Sequence, residues 1–90
     1  MFVNICFEAQ GTEVTMEKVL ENFAREYPEY SSLEVKETLC DKGEIKILWI
    51  GETETSEEEL VRLTHHAEGM YEGTDAEYVN VEVCINGKWY

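Results

Sequence analysis

Val3, Ile5 and Phe7 alternate with Asn4, Cys6 and Glu8, the two-residue period of a strand with one buried face. The period then changes. Met16, Val19, Leu20, Phe23, Ala24 and Tyr27 recur at helical spacing and make one apolar stripe. Thr15 stands where an N-cap belongs, and Pro28 ends the run. Glu21 and Arg25, one turn apart on the outer side, are expected to pair weakly. Leu33, Val35 and Leu39 are then set against Glu34, Lys36, Thr38 and Cys40, and Ile45, Ile47 and Trp49 continue as a partner strand ending near Gly51. Asp41-Lys42-Gly43 between them reads as a short hairpin loop. Leu60, Leu63, Thr64, Ala67, Met70 and Tyr71 form a second helical stripe that Gly69 or Gly73 should end. Val79, Val81, Val83 and Ile85 alternate with Tyr78, Asn80, Glu82 and Cys84, and Asn86-Gly87 is a tight-turn signal. Lys88-Trp89-Tyr90 then folds back briefly or lies across the sheet, where the aromatic pair reads first as a plug on the core and second as a partner anchor.

Strand, helix, strand, strand, helix, strand is the βαββαβ order of the ferredoxin-like fold. Right-handed crossovers predict a four-stranded antiparallel sheet in the order 4-1-3-2, with both helices on one face. Strands one and three would be central, and FVNICF and IKILWI are the most apolar. Strand two would be an edge, and its Glu34, Lys36 and Glu37 suit one. The chain has 90 residues, 43% of them hydrophobic, with one proline and six glycines. Those numbers predict a single globular domain over residues 1–90, with no linker or low-complexity tract.

Charge changes the picture more than composition does. Seven Lys and Arg stand against twenty Asp and Glu, a formal net charge of −13. Such a field repels nucleic acid and anionic membranes and attracts basic protein surfaces. The stretch from Glu52 to Leu60, ETETSEEEL, holds five glutamates in nine residues. Ser56 followed by Glu59 is a capping box, and Glu57, Glu58 and Glu59 fill a first helical turn where the helix dipole favours carboxylates. Glu52 and Glu54 have no such explanation, and Glu68, Glu72, Asp75 and Glu77 lie farther along. Glu17, Glu21, Glu26 and Glu29 add to the outer side of the first helix. Lys18, Arg25 and Arg62 are the main cations set against them. The run is therefore a helix start inside a wider acidic surface.

Other chemistry is sparse. His65 and His66 are adjacent, so on a helix they point about 100° apart and do not share one ion; they read as surface histidines. Cys6, Cys40 and Cys84 form no CxxC pair, no signal peptide is expected, and reduced thiols in a cytoplasmic protein are the default. All three share the parity opposite the core, which places them on the open side of the sheet near Leu48, Ile50 and Tyr78. No apolar run approaches a membrane span. There is no phosphate loop or nucleophile elbow, and no catalytic residue, cofactor or metal site is assigned. The first loop, Gln10-Gly-Thr-Glu-Val, lacks both the arginine of an acylphosphatase and the CxxC of a heavy-metal-binding domain. The open sheet face lacks the aromatic and basic pattern of an RNA-recognition motif.

The expected function follows from charge. In size and composition the chain resembles small acidic phage-encoded proteins that block restriction or CRISPR nucleases, a likeness of type that covers no motif. It implies a non-enzymatic inhibitor whose carboxylates imitate nucleic-acid phosphates in the groove of a basic, nucleic-acid-binding protein. Glu52, Glu54, Glu57, Glu58, Glu68 and Glu72 are the expected contacts. Two alternatives stand beside it. One is a small ligand-binding or regulatory domain that dimerises through the open sheet face at Leu48, Ile50 and Tyr78. The other is an immunity protein that neutralises a basic toxin. Neither nucleic acid nor a membrane is an expected direct partner.

Overall fold

The computed structural model describes residues 1–41 and 43–90, so Lys42, the middle of the expected Asp41–Gly43 loop, lies outside the described residues. The strands are β1 (Phe2–Gln10), β2 (Glu34–Asp41), β3 (Glu44–Glu52), β4 (Glu77–Ile85) and β5 (Lys88–Trp89). The helices are α1 (Met16–Glu26) and α2 (Glu57–Arg62), with 3-10 turns at Pro28–Tyr30 and Glu68–Tyr71. The described strands make one antiparallel sheet in the order β2-β3-β1-β4-β5.

The expected four-stranded ferredoxin-like sheet is overturned on two counts. Among the described residues the sheet has five strands, because Asn86 and Gly87 both take left-handed backbone angles, φ 50° and 89°, and turn the chain back. Trp89 then pairs with Cys84, and Lys88 with Ile85. The second helical segment is also not a full helix. α2 has six residues, and its winding tightens where the Leu63 N–H reaches Leu60 O and the Thr64 N–H reaches Val61 O. Leu60, Leu63, Ala67 and Met70 are all buried, and their three- and four-residue steps suit turns and a 3-10 segment as well as an α-helix. Gly69 does not end a helix. A Cβ there would meet the Tyr27 hydroxyl at 3.0 Å and Glu26 Cβ at 3.1 Å, so its role is the close approach of the 3-10 turn to α1.

One face of the sheet carries the core. Val3, Ile5, Phe7 and Ala9 of β1 pack with Ile45, Ile47 and Trp49 of β3 and Val81, Val83 and Ile85 of β4. α1 closes over them with Val19 and Phe23, and the Phe23 ring stacks on Trp49 at 4.1 Å. Thr15 caps α1 by accepting from the Lys18 N–H at 3.1 Å. Ala24, placed on the apolar stripe by sequence, is exposed, whereas Asn22 is fully buried. Its amide donates to Met70 O at 3.3 Å and Glu72 O at 2.9 Å, and its carbonyl accepts from Arg25 at 2.8 Å. Arg25 thus turns towards Asn22, Glu26 and Glu72 and not to the expected Glu21.

A β-bulge between Val35 and Glu37 reverses the parity of β2. Val35 lies opposite Trp49 on the helix side, but beyond the bulge Leu39 lies opposite Lys46 and Cys40 opposite Ile45. The three cysteines therefore do not share a face. Cys6 and Cys84 are on the open side, while Cys40 is turned to the helix side and exposed there. Trp89 and Tyr90 are not core plugs. Trp89 is 53% exposed beside Cys84 on the open face, and Tyr90 reaches the opposite side to donate to Glu57.

Candidate acidic interaction surface

Glu52 and Glu54 flank Thr53, which is buried, so the strand period turns both carboxylates to solvent. The Met1 ammonium donates to Thr53 O at 2.8 Å, and the Ser32 hydroxyl donates to Glu52 O. Glu29, on the turn after α1, lines the same shallow groove as Met1, Glu52 and Glu54. Ser56 begins α2 next to it and accepts from the Glu59 N–H at 3.2 Å. Glu57, Glu58 and Glu59 thus share the first turn, where the unpaired N–H groups favour carboxylates.

The far side of α2 joins this surface. Glu26, Glu29, Glu59, Arg62 and His66 line a small groove with Tyr27 and Tyr30. Burial pushes the Tyr30 phenol up to about 12, and the nearby Glu29 carboxylate adds to the shift. Burial also raises Tyr27, with Glu68, Glu26 and Glu29 acting in the same direction. Both tyrosines therefore stay neutral hydrogen-bonding groups at physiological pH. The Tyr90 hydroxyl donates to Glu57 at 2.6 Å, which raises its pKa above the usual 10.0.

The six expected contact residues do not form one cluster on one helix. Glu52 and Glu54 sit at the end of β3 with Glu29, and Glu57 and Glu58 are on α2. Glu68 starts the separate 3-10 segment against α1 and Glu72 directly follows it, 3.7 Å from Arg25. Glu29 and Glu59 were absent from the expected contacts, although Glu29 lines both grooves. The signal available for Glu29 was its place directly after Pro28, which starts a turn at the end of α1.

The expected sheet-face residues also separate. Leu48 and Ile50 are half-buried on the open face, where Leu48, Cys6, Leu39 and Trp89 line a groove with Lys36 and Lys46. Tyr78 is elsewhere. It is 80% exposed, with φ 53°, in a region of β4 where the pairing with β1 shifts register between Glu8 and Gln10. There it lines a groove with Gln10, Asp41, Glu44 and Glu77. Asp75 closes the neighbouring loop by accepting from the Thr12 and Glu13 N–H groups at 2.8 and 2.7 Å and from the Thr12 hydroxyl. These donors, the Thr12 side chain foremost, hold its carboxyl at about 2.

No helix among the described residues is long and apolar enough to cross a membrane, and no group of His, Cys, Asp and Glu among them is placed to hold a metal ion. No protein-family model, curated protein or solved structure matches the chain, so its own geometry carries the functional reading.

Proposed function

We propose that the protein is a small non-enzymatic interaction protein of the cytoplasm that occupies the basic groove of a nucleic-acid-binding partner in place of nucleic acid. One observation carries this reading. Ion pairs between side chains of the described residues include Arg25–Glu26, Arg25–Glu72 and Lys46–Glu8, and none of these engages Glu29, Glu52, Glu54, Glu57, Glu58 or Glu59. These carboxylates surround the end of the molecule where α1, α2 and β3 meet. A Lys/Arg groove built for phosphates gains counterion release and Coulomb attraction from such a surface, with steep salt dependence. Glu68 and Glu72 extend the surface along α1, with Glu72 already shared with Arg25. Affinity capture from nuclease-treated bacterial lysate, eluted with salt, tests it. The expected result is a nucleic-acid-binding protein that elutes at high salt and is displaced by added DNA or RNA. Glu52, Glu54, Glu57 and Glu58 all changed to Lys should abolish capture while the circular dichroism spectrum is kept. Retention by that variant overturns the reading, as does capture indifferent to nucleic acid.

A second reading is favoured by the open sheet face, where Leu39 and Trp89 are 47% and 53% exposed beside Leu48. A homodimer through this face would bury them. Leu48→Glu then converts a micromolar dimer to a monomer in sedimentation, and a wild-type monomer at all concentrations refutes it.

A further inference from the structure

The turn between β4 and β5 places an asparagine and a glycine in a reactive setting. Asn86 and Gly87 are both exposed with left-handed angles, and a Cβ placed on Gly87 would meet nothing within 4 Å. The Asn86 N–H donates to Phe2 O at 3.2 Å, which anchors the start of the turn. Among the described residues no hydrogen bond engages the Gly87 N–H or the Asn86 side-chain amide. The side-chain carbonyl carbon of an asparagine and the next main-chain nitrogen can close a five-membered ring, and a glycine there has no Cβ to hinder the approach. Asn4, Asn22 and Asn80 instead precede Ile5, Phe23 and Val81, whose side chains crowd that nitrogen, and all three lie inside a strand or helix.

Little holds this turn closed. β5 pairs Lys88 with Ile85 and Trp89 with Cys84, and beyond it the Tyr90 N–H donates to Val83 O at 2.8 Å. Opening so few pairs to reach the ring-closing geometry is a local event of small cost. Those same pairs seat Trp89 beside Cys84. Cys84 is buried although it lies on the open face, whereas Cys6 on that face is half-buried. The indole is the large side chain that β5 sets against Cys84, and it serves as the cover of that thiol.

We propose that Asn86-Gly87 is a spontaneous modification site, where asparagine converts to isoaspartate and thereby undoes the β5 clasp over Cys84. The Gly87 nitrogen loses its proton and bonds to Asn86 Cγ; the bond from Cγ to the side-chain nitrogen breaks, and that nitrogen takes a proton and leaves as ammonia. Water then opens the cyclic imide at either carbonyl. One opening leaves aspartate in the original main chain. The other carries the main chain through Cβ and Cγ and leaves the α-carboxylate as the side group. The sum consumes one water, releases one ammonia and adds one negative charge, with no redox partner. The isoaspartyl product puts an extra carbon into a two-residue turn, which cannot keep the Cys84–Trp89 register. The inference is independent of the proposed function.

The test is incubation of the folded protein in mildly alkaline buffer, separation of the more acidic product by anion exchange, and peptide mapping. Asn86 should convert while Asn4, Asn22 and Asn80 keep their amides. The rate should lie within roughly tenfold of that of a free peptide spanning residues 83–90, an activation difference of about 1.4 kcal/mol. Iodoacetamide should then label Cys84 of the isoaspartyl form roughly tenfold faster than in the unmodified protein. Two variants separate the causes. Asn86→Gly keeps a turn-forming pair without the amide and should gain neither charge nor Cys84 labelling with time. Freshly prepared Asn86→Asp adds the charge without the extra carbon and should keep Cys84 protected. An Asn86 that survives in the fold while the free peptide converts overturns the site, as does equal conversion at Asn80. Equal Cys84 labelling in the isoaspartyl and unmodified forms overturns the clasp.

Discussion

Two helical arms cover the same face of the sheet, and they are held in different ways. α1 is capped by Thr15 and drives Phe23 between Trp49 and the rings of Tyr27 and Tyr30. The second arm also buries an apolar row, yet it stays α-helical for only six residues. Its last stretch is tied from outside by Asn22 of α1, which donates to two of its carbonyls. An apolar stripe thus fixes which side of a segment is buried, but not how the backbone winds. Where winding leaves carbonyls without helical donors, a side chain from elsewhere has to supply them.

Phe23→Ala should break the first arm at its anchor and cost about 3–5 kcal/mol in urea unfolding, since it empties a ring-sized space against Trp49. Asn22→Leu tests the tether. It leaves Met70 O and Glu72 O without the amide donor and should cost about 1–3 kcal/mol. Hydrogen exchange should rise in residues 68–74 and leave α1 protected; uniform loss across both arms would refute the tether. The caps sharpen the comparison further. Thr15→Ala and Ser56→Ala each remove one side-chain acceptor at a cost of about 1 kcal/mol. The Ser56 change should show as local opening of the six-residue α2, the Thr15 change as a loss of global stability.

Asp75 gives the smallest effect and the one with a pH signature. It binds the loop before α1 from the segment after the second arm. Its carboxyl lies at about 2 in the fold against an ordinary 3.8, so its contribution is present above about pH 4 and is lost as pH falls towards 2. The stability difference between the wild type and Asp75→Asn should be level above that range and shrink below it. A constant difference down to pH 2 would mean that the charged form is not what the loop needs.

Much of this was legible in the residues. The alternation of β1, β3 and β4 and the caps at Thr15 and Ser56 are local, and local pattern finds them. The bulge in β2 was not legible, because one added residue leaves no signature side chain and silently moves Leu39 and Cys40 to opposite faces. The burial of Asn22 had no local signal either, because the partners of its amide lie 48 and 50 residues away. The acidic surface was visible as charge alone. Which carboxylates lack a cation depends on where Arg25 turns, and its turn towards Asn22, Glu26 and Glu72 withdraws it from Glu21.

The bulge also makes Cys40 a covalent reporter. Two copies meeting across Leu48 would hold their Cys40 thiols on outward sides, since Cys40 faces away from that surface. Two copies meeting edge to edge along β2, in a two-fold register centred near Cys40, would bring those thiols within disulfide reach. Mild oxidation followed by non-reducing electrophoresis of the wild type and Cys40→Ser therefore distinguishes face from edge, with no structure of the assembly required.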